Sequence, residues 1–208
     1  SGDYLIKKNS PVWSVAWQIG RGHHNIEPVK VIIREGLKNE DIADLLADKL
    51  AGFRRDLFLT GINDKQGYLF PDTYFFFPQD TASEIIEKLS DNFESKIKNL
   101  LSDIGKTGRS LSEIITMASI LQGEASGGED IGIISGILWE RISKGMPLQV
   151  DTDKSTYQTK GLPSKPLNNP GLLSINAAIN PIESSYLYYL HDKDGKVHYA
   201  VTFVEHKS

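Results

Sequence analysis

The stretch from Ser110 to Thr152 constrains this chain more than any other part of it. Ser110 followed by Glu113 has the spacing of a capping box, in which each residue's side chain accepts from the other's backbone N–H at the start of a helix. Ile114, Ile115, Ala118, Leu121 and Ala125 recur at helical spacing, and Met117 and Ile120 widen the stripe until the helix is apolar on most sides. A helix of that kind belongs inside a domain, with other elements packed around it. It delivers Glu124 near its end. Gly127-Gly128 then turns the chain into a second apolar helix with Ile133, Ile134, Ile137, Leu138 and Ile142, closed by Gly145. A carboxyl at the end of a buried helix can be desolvated into a proton donor; it can equally be an ordinary solvated glutamate. The residues of this stretch leave both readings of Glu124 open.

Composition narrows the classes. With 208 residues, 39% hydrophobic and 24% charged, the chain has room for one large domain or a large and a small one. A net charge of −4 gives no electrostatic footing for nucleic acid, and no nucleic-acid partner is expected. The absence of cysteine excludes disulfides, thiolate-bound metals and cysteine nucleophiles, and suits either the cytosol or an envelope compartment. No apolar run is long enough to cross a membrane, and no signal-peptide pattern opens the chain. Phosphate-loop, nucleophile-elbow, zinc-helix and dinucleotide patterns are all missing, so no cofactor is expected. His23 and His24 are adjacent, point opposite ways on an extended chain, and have no third ligand in the sequence nearby, so no metal site is expected.

Elsewhere, residues 3–6 and 28–34 read as strands, with a segment of undecided type over 11–19 that carries Trp13 and Trp17. Asn39 opens a helix with Ile42, Leu45, Leu46 and Leu50 on its buried face and Gly52 at its end. The aromatic stretch Gln66 to Pro78 can be core, the usual place for such rings, or line a groove; its interruption at Pro71-Asp72-Thr73 raises the case for an exposed, shaped loop. Thr81 and Glu84 form a second capping box, opening a helix to about Leu101 with Ile85, Leu89, Phe93, Ile97 and Leu100 inward, followed by a linker over 105–109. From Met146 the chain is polar and rich in Pro, Gly and Asn, as functional loops tend to be. A short helix over Ser174 to Asn180 follows. Strands over 186–190 and 198–203 then flank a turn at Asp192-Lys193-Asp194-Gly195. The expected fold is α+β: a small mixed N-terminal piece, then a catalytic part with helices packed beside a short antiparallel sheet.

One well-placed Glu, polar loops and aromatic side chains suit carbohydrate chemistry, where carboxyls act on a glycosidic oxygen and aromatic faces hold sugar rings. The motifs also carry a resemblance. Ala118-Ser119-Ile120 leading to Glu124 is followed by Gly145-Met146-Pro147-Leu148-Gln149 with Asp151 and Thr152, and by Thr156-Tyr157 with Gly161-Leu162-Pro163. Asn169-Pro170-Gly171 with Ser174, and Tyr186-Leu187-Tyr188 with Thr202 and Glu205-His206, complete the order. Gly67-Tyr68-Leu69-Phe70-Pro71-Asp72-Thr73-Tyr74 is a further signature. Together they resemble the YceG-like (MltG) endolytic murein transglycosylases of the bacterial cell wall. The resemblance makes residues 28–208 the catalytic domain and residues 1–27 the end of a LysM-like subdomain.

The resemblance implies that Glu124 is the general acid and then the base in cleaving the β-1,4 bond between N-acetylmuramic acid and N-acetylglucosamine of nascent glycan strands. The product is a 1,6-anhydromuramyl end. One carboxyl suffices because the nucleophile, the muramyl C6 hydroxyl, lies within the substrate. Burial against Ile120, Leu121 and the aromatic loop is expected to keep Glu124 protonated. Gln149, Asp151, Thr152, Tyr157, Asn169 and Ser174 match family motifs as candidates for hydrogen bonds to N-acetyl and hydroxyl groups, and Tyr68 and Tyr74 as flanks for sugar rings. Each has a competing role in fixing a polar loop. The family also implies a protein of the inner membrane with a single N-terminal span and its catalytic part outside the cytoplasm, this chain being a soluble ectodomain. Its implied partners are peptidoglycan strands, penicillin-binding proteins and the elongation machinery.

This chain departs from the family pattern at Gln122 and Gln66, where Glu is common, so a helper carboxylate two residues before Glu124 is missing. Asp151-Thr152 also runs almost directly into Ser155-Thr156-Tyr157, where relatives insert a longer loop. These departures motivate an alternative, a peptidoglycan-binding scaffold with weak or no catalysis. A nucleic-acid module using the aromatics is a third reading, opposed by the acidic balance.

Overall fold

The structure, a computed structural model, describes residues 4, 6–21, 27–124, 130–194 and 196–206, the side chains of residues 18 and 21 excepted. In chain order the elements are α1 (Val12–Arg21), β1 (Val29–Ile32), α2 (Asn39–Lys49), α3 (Arg55–Gly61), β2 (Thr73–Phe76), α4 (Ala82–Lys98) and α5 (Leu101–Thr107). They continue with α6 (Leu111–Glu124), α7 (Ile131–Ser143), a 3-10 turn (Lys154–Tyr157), α8 (Leu172–Ile179), β3 (Tyr188–His191), β4 (Val197–Ala200) and α9 (Phe203–His206). Helices with small antiparallel strand pairs make this an α+β fold, as expected.

The strands form two separate pairs, not one sheet. β1 and β2 run antiparallel, with Val29 opposite Phe76 and Ile32 opposite Thr73. Alternation buries Val31, Tyr74 and Phe76 and exposes Ile32, Thr73 and Phe75. The aromatic stretch, read as core or exposed loop, is strand over Thr73–Phe76 and buries Leu69, Phe70, Tyr74 and Phe76. Its pairing partner lies some 40 residues upstream, a long-range contact to which local punctuation by Pro71 and Pro78 is blind. α2, α3 and the first half of α4 cover this pair with Ile42, Leu46, Phe58, Ile85 and Leu89.

A second core surrounds α6. Every residue from Ile114 to Leu121 is buried, with α8 packed along the helix and α7 beside it. The capping box forms as predicted: Glu113 N–H donates to Ser110 Oγ at 3.2 Å, and Ser110 N–H to Glu113 Oε2 at 2.8 Å. The Thr81–Glu84 box forms likewise. α4 belongs to both cores, giving Ile85 and Leu89 to the first and Phe93 and Ile97 to the second. It stops at Lys98, and α5 occupies much of the expected linker, because Ile104 continues the apolar spacing and is buried.

β3 and β4 pair antiparallel from Tyr188 opposite Ala200 to His191 opposite Val197. The second strand ends before Phe203, where α9 begins. Glu205 N–H donates to Thr202 Oγ1, and Thr202 N–H to Glu205 Oε2, a helix-start pattern that overrides the run of strand-forming residues. α1 resolves the undecided segment as a helix with Trp13 and Trp17 exposed. Of the strand expected over 3–6, Tyr4 and Ile6 are not in a strand, and the other two residues lie outside the described ones, as do His23, His24, Ala125 and Gly127-Gly128. No helix among the described residues is long and apolar enough to cross a membrane.

Candidate active site

Burial of α6 fixes where its last residue emerges: Glu124 is half-buried at the wall of a cleft of about 520 Å³. Thr152 N–H donates to Glu124 Oε1 at 3.1 Å, and the Thr152 hydroxyl donates to the same oxygen. The Tyr189 hydroxyl donates to Glu124 Oε2 at 3.2 Å. Burial pushes the Tyr189 phenol far above its ordinary pKa, and the adjacent Glu124 carboxylate adds to the effect, so Tyr189 stays a hydroxyl at any physiological pH. Gly123 makes the approach of Thr152 possible, since a Cβ there would collide with the Thr152 methyl.

Arg141 frames the cleft. It is the one charged side chain on the buried face of α7, only 5% exposed, and its Nε donates to Leu187 O at 2.8 Å while Nη1 donates to Leu148 O. Its guanidinium sits 5.1 Å from the centre of the Tyr188 ring. Burial lowers its pKa while the nearby tyrosines oppose that, and an arginine so placed remains charged. The loop it holds carries Gln149, whose φ of 53° is left-handed and uncommon outside glycine, with its N–H donating to Thr156 O at 3.1 Å. Asp151 accepts from Lys154 Nζ and, at 2.9 Å, from the Tyr157 hydroxyl. These two donors, Lys154 first, hold its carboxyl below the usual range.

Glu124, Gln149, Asp151, Thr152 and Tyr157 thus converge on one site. The other four candidates sit elsewhere. Asn169 is fully buried: its Oδ1 accepts from Gly67 N–H and Leu69 N–H at 3.0 Å each, and its Nδ2 donates to Leu37 O at 2.9 Å and Asn39 Oδ1 at 3.0 Å. Ser174 is buried and donates to Gln122 Oε1 at 2.9 Å, which also accepts Gly171 N–H at 2.9 Å. Position 122 therefore serves the N-terminus of α8 and makes no bond to Glu124. Tyr68 packs edge-on against Phe93, ring centres 5.1 Å apart. Tyr74 is buried, donates to Phe70 O at 2.6 Å and accepts from Asn92; burial pushes its phenol up to about 12.

The aromatic loop expected against Glu124 does not line the cleft; the rings there are Tyr157, Tyr188 and Tyr189, with His191, Phe203 and His206. Sequence reasoning missed Arg141, Tyr189, His191 and His206. Arg141 had a usable signal, since it falls at i, i+3, i+4 and i+7 with Ile134, Ile137 and Leu138 on an otherwise apolar face. His191 lines the cleft with its Nε2 buried and without a hydrogen-bond partner among the described residues. No group of three or more His, Asp or Glu side chains suited to a metal ion occurs among the described residues.

Fold and site together define an α+β protein that presents a single helix-end carboxylate to a polar cleft walled by tyrosines. The YceG-like family model matches residues 1–155 and 152–208, and this chain belongs to that family. The two matched segments overlap where Asp151-Thr152 runs on to Ser155-Thr156-Tyr157. An endolytic murein transglycosylase of Bacillus subtilis is 32% identical over 164 residues, covering 68% of this chain and 46% of the relative. One of Streptococcus pneumoniae (strain D39) is 27% identical over 169 residues, 68% of this chain and 31% of the relative. The match thus spans less than half the length of these relatives. The crystal structure of a yceG-like protein, lmo1499, from Listeria monocytogenes superposes with a TM-score of 0.77 at 25% identity, covering 100% of this chain and 84% of that one.

Proposed function

We propose that this chain is the catalytic part of an endolytic murein transglycosylase that cleaves the MurNAc-β-1,4-GlcNAc bond of nascent glycan strands. The observation that carries the reading is the grip on Glu124, one carboxylate held on both oxygens in a tyrosine-walled cleft of about 520 Å³. Protonated Glu124 gives its proton to the glycosidic oxygen as the bond to the muramyl C1 breaks. The resulting carboxylate takes the proton from the muramyl C6 hydroxyl as that oxygen bonds to C1. A 1,6-anhydro end forms and no water is consumed.

Thr152 N–H is a donor that cannot reverse, which reserves Oε1 as an acceptor and leaves the proton to Oε2. The Tyr189 hydroxyl can turn to accept when Oε2 is protonated and donate when it is not. That suits a residue that must serve both halves of the reaction. Gln149, Asp151 and Tyr157 line the same cleft and would hydrogen-bond the sugar's N-acetyl and hydroxyl groups.

The reading extends to residues 1–27 as the end of a LysM-like subdomain, to a single membrane span in the whole protein with this part outside the cytoplasm, and to penicillin-binding proteins and the elongation machinery as partners. The deciding experiment gives purified protein uncrosslinked glycan strands and follows the ends by mass spectrometry. Expected are 1,6-anhydro ends that Glu124→Gln abolishes. Reducing ends carrying an added water would make it a hydrolase. Strand binding without any product would favour the scaffold reading, which the short passage between Thr152 and Ser155 motivates.

A further inference from the structure

A second hollow begins where the Glu124 cleft stops. Gly123 and Thr152, the chain neighbours of Glu124 and Asp151, line it, and it measures about 490 Å³. It shares Lys38, Asp153 and Leu167 with a third hollow of about 550 Å³ that runs on to Gln66, Lys165 and Pro166. The two make one groove that meets the cleft at the Glu124–Thr152 contact.

Its chemistry differs from that of the cleft. The cleft sets tyrosine and histidine rings around Glu124, Asp151 and Arg141; the groove has no aromatic side chain in its lining and offers charges of both signs with proline and leucine between them. Lys38, Lys165 and Glu40 are exposed and make no ion pair among the described residues. Asp153 is already committed, its carboxylate accepting Ser155 N–H and Ser155 Oγ at 2.9 Å each. Beneath the charges lie two buried amide atoms with no hydrogen-bond partner among the described residues, Gln66 Nε2 and Asn168 Oδ1. The opposite end of each amide is occupied: Gln66 Oε1 accepts Asn39 N–H at 3.1 Å, and Asn168 Nδ2 donates to Ser119 O at 2.9 Å. Gln66 and Asn168, which line the two hollows, thus each keep one amide atom unmet, a donor on the first and an acceptor on the second.

We propose that this groove binds the stem peptide of the murein strand. The ligand class is a short peptide with free carboxylates and an ammonium. Lys38 and Lys165 pair with the carboxylates and Glu40 with the ammonium, while methyl-sized side chains lie against Pro166 and Leu167. A bare amino-sugar backbone whose lactyl groups are amidated has no charge for the two lysines to meet. The inference rests on the transglycosylase reading, because the glycan seated at Glu124 is what brings the peptide to the groove.

The test uses Glu124→Gln protein, titrated with uncrosslinked strands that keep their stem peptides and with the same strands stripped by an amidase and then capped as amides at the lactyl carboxylates this frees. Peptide-bearing strands should bind roughly three- to tenfold tighter, the size expected of two exposed ion pairs. The preference should shrink as salt is raised. Lys38→Ala with Lys165→Ala should erase it and leave binding to stripped strands unchanged. Equal binding of both strands, or a preference that survives the double substitution, overturns the stem-peptide site. Failure of the transglycosylase reading looks different: protein with Glu124 intact then yields no 1,6-anhydro ends from either strand.

Discussion

The Tyr189 hydroxyl reaches Glu124 Oε2 at 3.2 Å, joining β3 to the end of α6 across 65 residues of sequence. Tyr189→Phe removes that hydroxyl while keeping the ring. A hydrogen bond to a charged group contributes about 1.5–3 kcal/mol, so kcat should fall roughly ten- to hundredfold with little change in KM. Steady-state release of 1,6-anhydro ends measures both. A loss confined to KM would make Tyr189 a substrate contact and not a partner of Glu124.

Gly123→Ala tests the other side of the carboxylate. The added methyl meets the Thr152 side chain, and relief requires Thr152 to move away from Oε1. Overpacking of this kind costs about 1–3 kcal/mol. Turnover should drop further than melting temperature, because the displaced group is the donor pair on Glu124. A variant with wild-type kcat would sever the link between Thr152 and catalysis.

Gln122→Glu puts a second carboxylate two residues before Glu124. An ionised Glu there can accept the same two donors, Gly171 N–H and Ser174 Oγ–H, and adds charge at the N-terminus of α8. The expected gain is about 0.3–1 kcal/mol of stability, read by denaturant midpoint, with kcat nearly unchanged. A large rise in kcat would instead make position 122 a helper to Glu124.

Asn169→Ala deletes a fully satisfied buried amide and strands the N–H groups of Gly67 and Leu69 and the Oδ1 of Asn39, while Leu37 O keeps the Asn169 backbone N–H. Leaving buried polar groups unpaired costs about 1–3 kcal/mol each, and a total on the order of 3 kcal/mol or more should lower the melting temperature by about 6–12 °C. The cleft residues are untouched, so any protein that remains folded should keep its kcat.

Acid should destabilise the fold in a definite window. Backbone N–H bonds hold the carboxyls of Glu84 and Glu113 below their ordinary values, through Thr81 and Ser110 respectively, and Thr73 N–H does the same for Asp72. Unfolded, these groups titrate near about 4.3 for Glu and about 3.9 for Asp. The unfolded chain therefore binds more protons in that range, so their stabilisation is complete above it and is lost as pH falls through the folded values. Melting temperature should be flat near neutrality and decline below about pH 5. Ser110→Ala, which removes one partner of Glu113, should reduce the decline.

Much of this architecture was legible one residue at a time. Two capping boxes gave the starts of α4 and α6 because the signal is local, a hydroxyl and a carboxylate three residues apart. The burial of α6 followed from an apolar stripe too wide for a surface helix. β2 was hidden because its partner is β1, so its alternation is meaningful only once the pairing is known. Glu124, Asp151 and Thr152 came from motif order, yet sequence could not reveal that Asn169 and Ser174 spend their polar groups inside the scaffold. Tyr189 was missed for the same reason, and the apolar face of α7 marked Arg141 as buried without saying what it holds. Their importance lies in what they reach, and that is fixed by packing between distant segments.

Arg141 carries a mechanical consequence. Leu148 O directly precedes Gln149 and Leu187 O directly precedes Tyr188, both residues that line the cleft, and a single guanidinium clasps both carbonyls. Spreading the two segments would strip a buried cation of its carbonyls. The separation of these two segments is thus set by the span of one arginine's nitrogens, a fixed gauge built in beside the cleft.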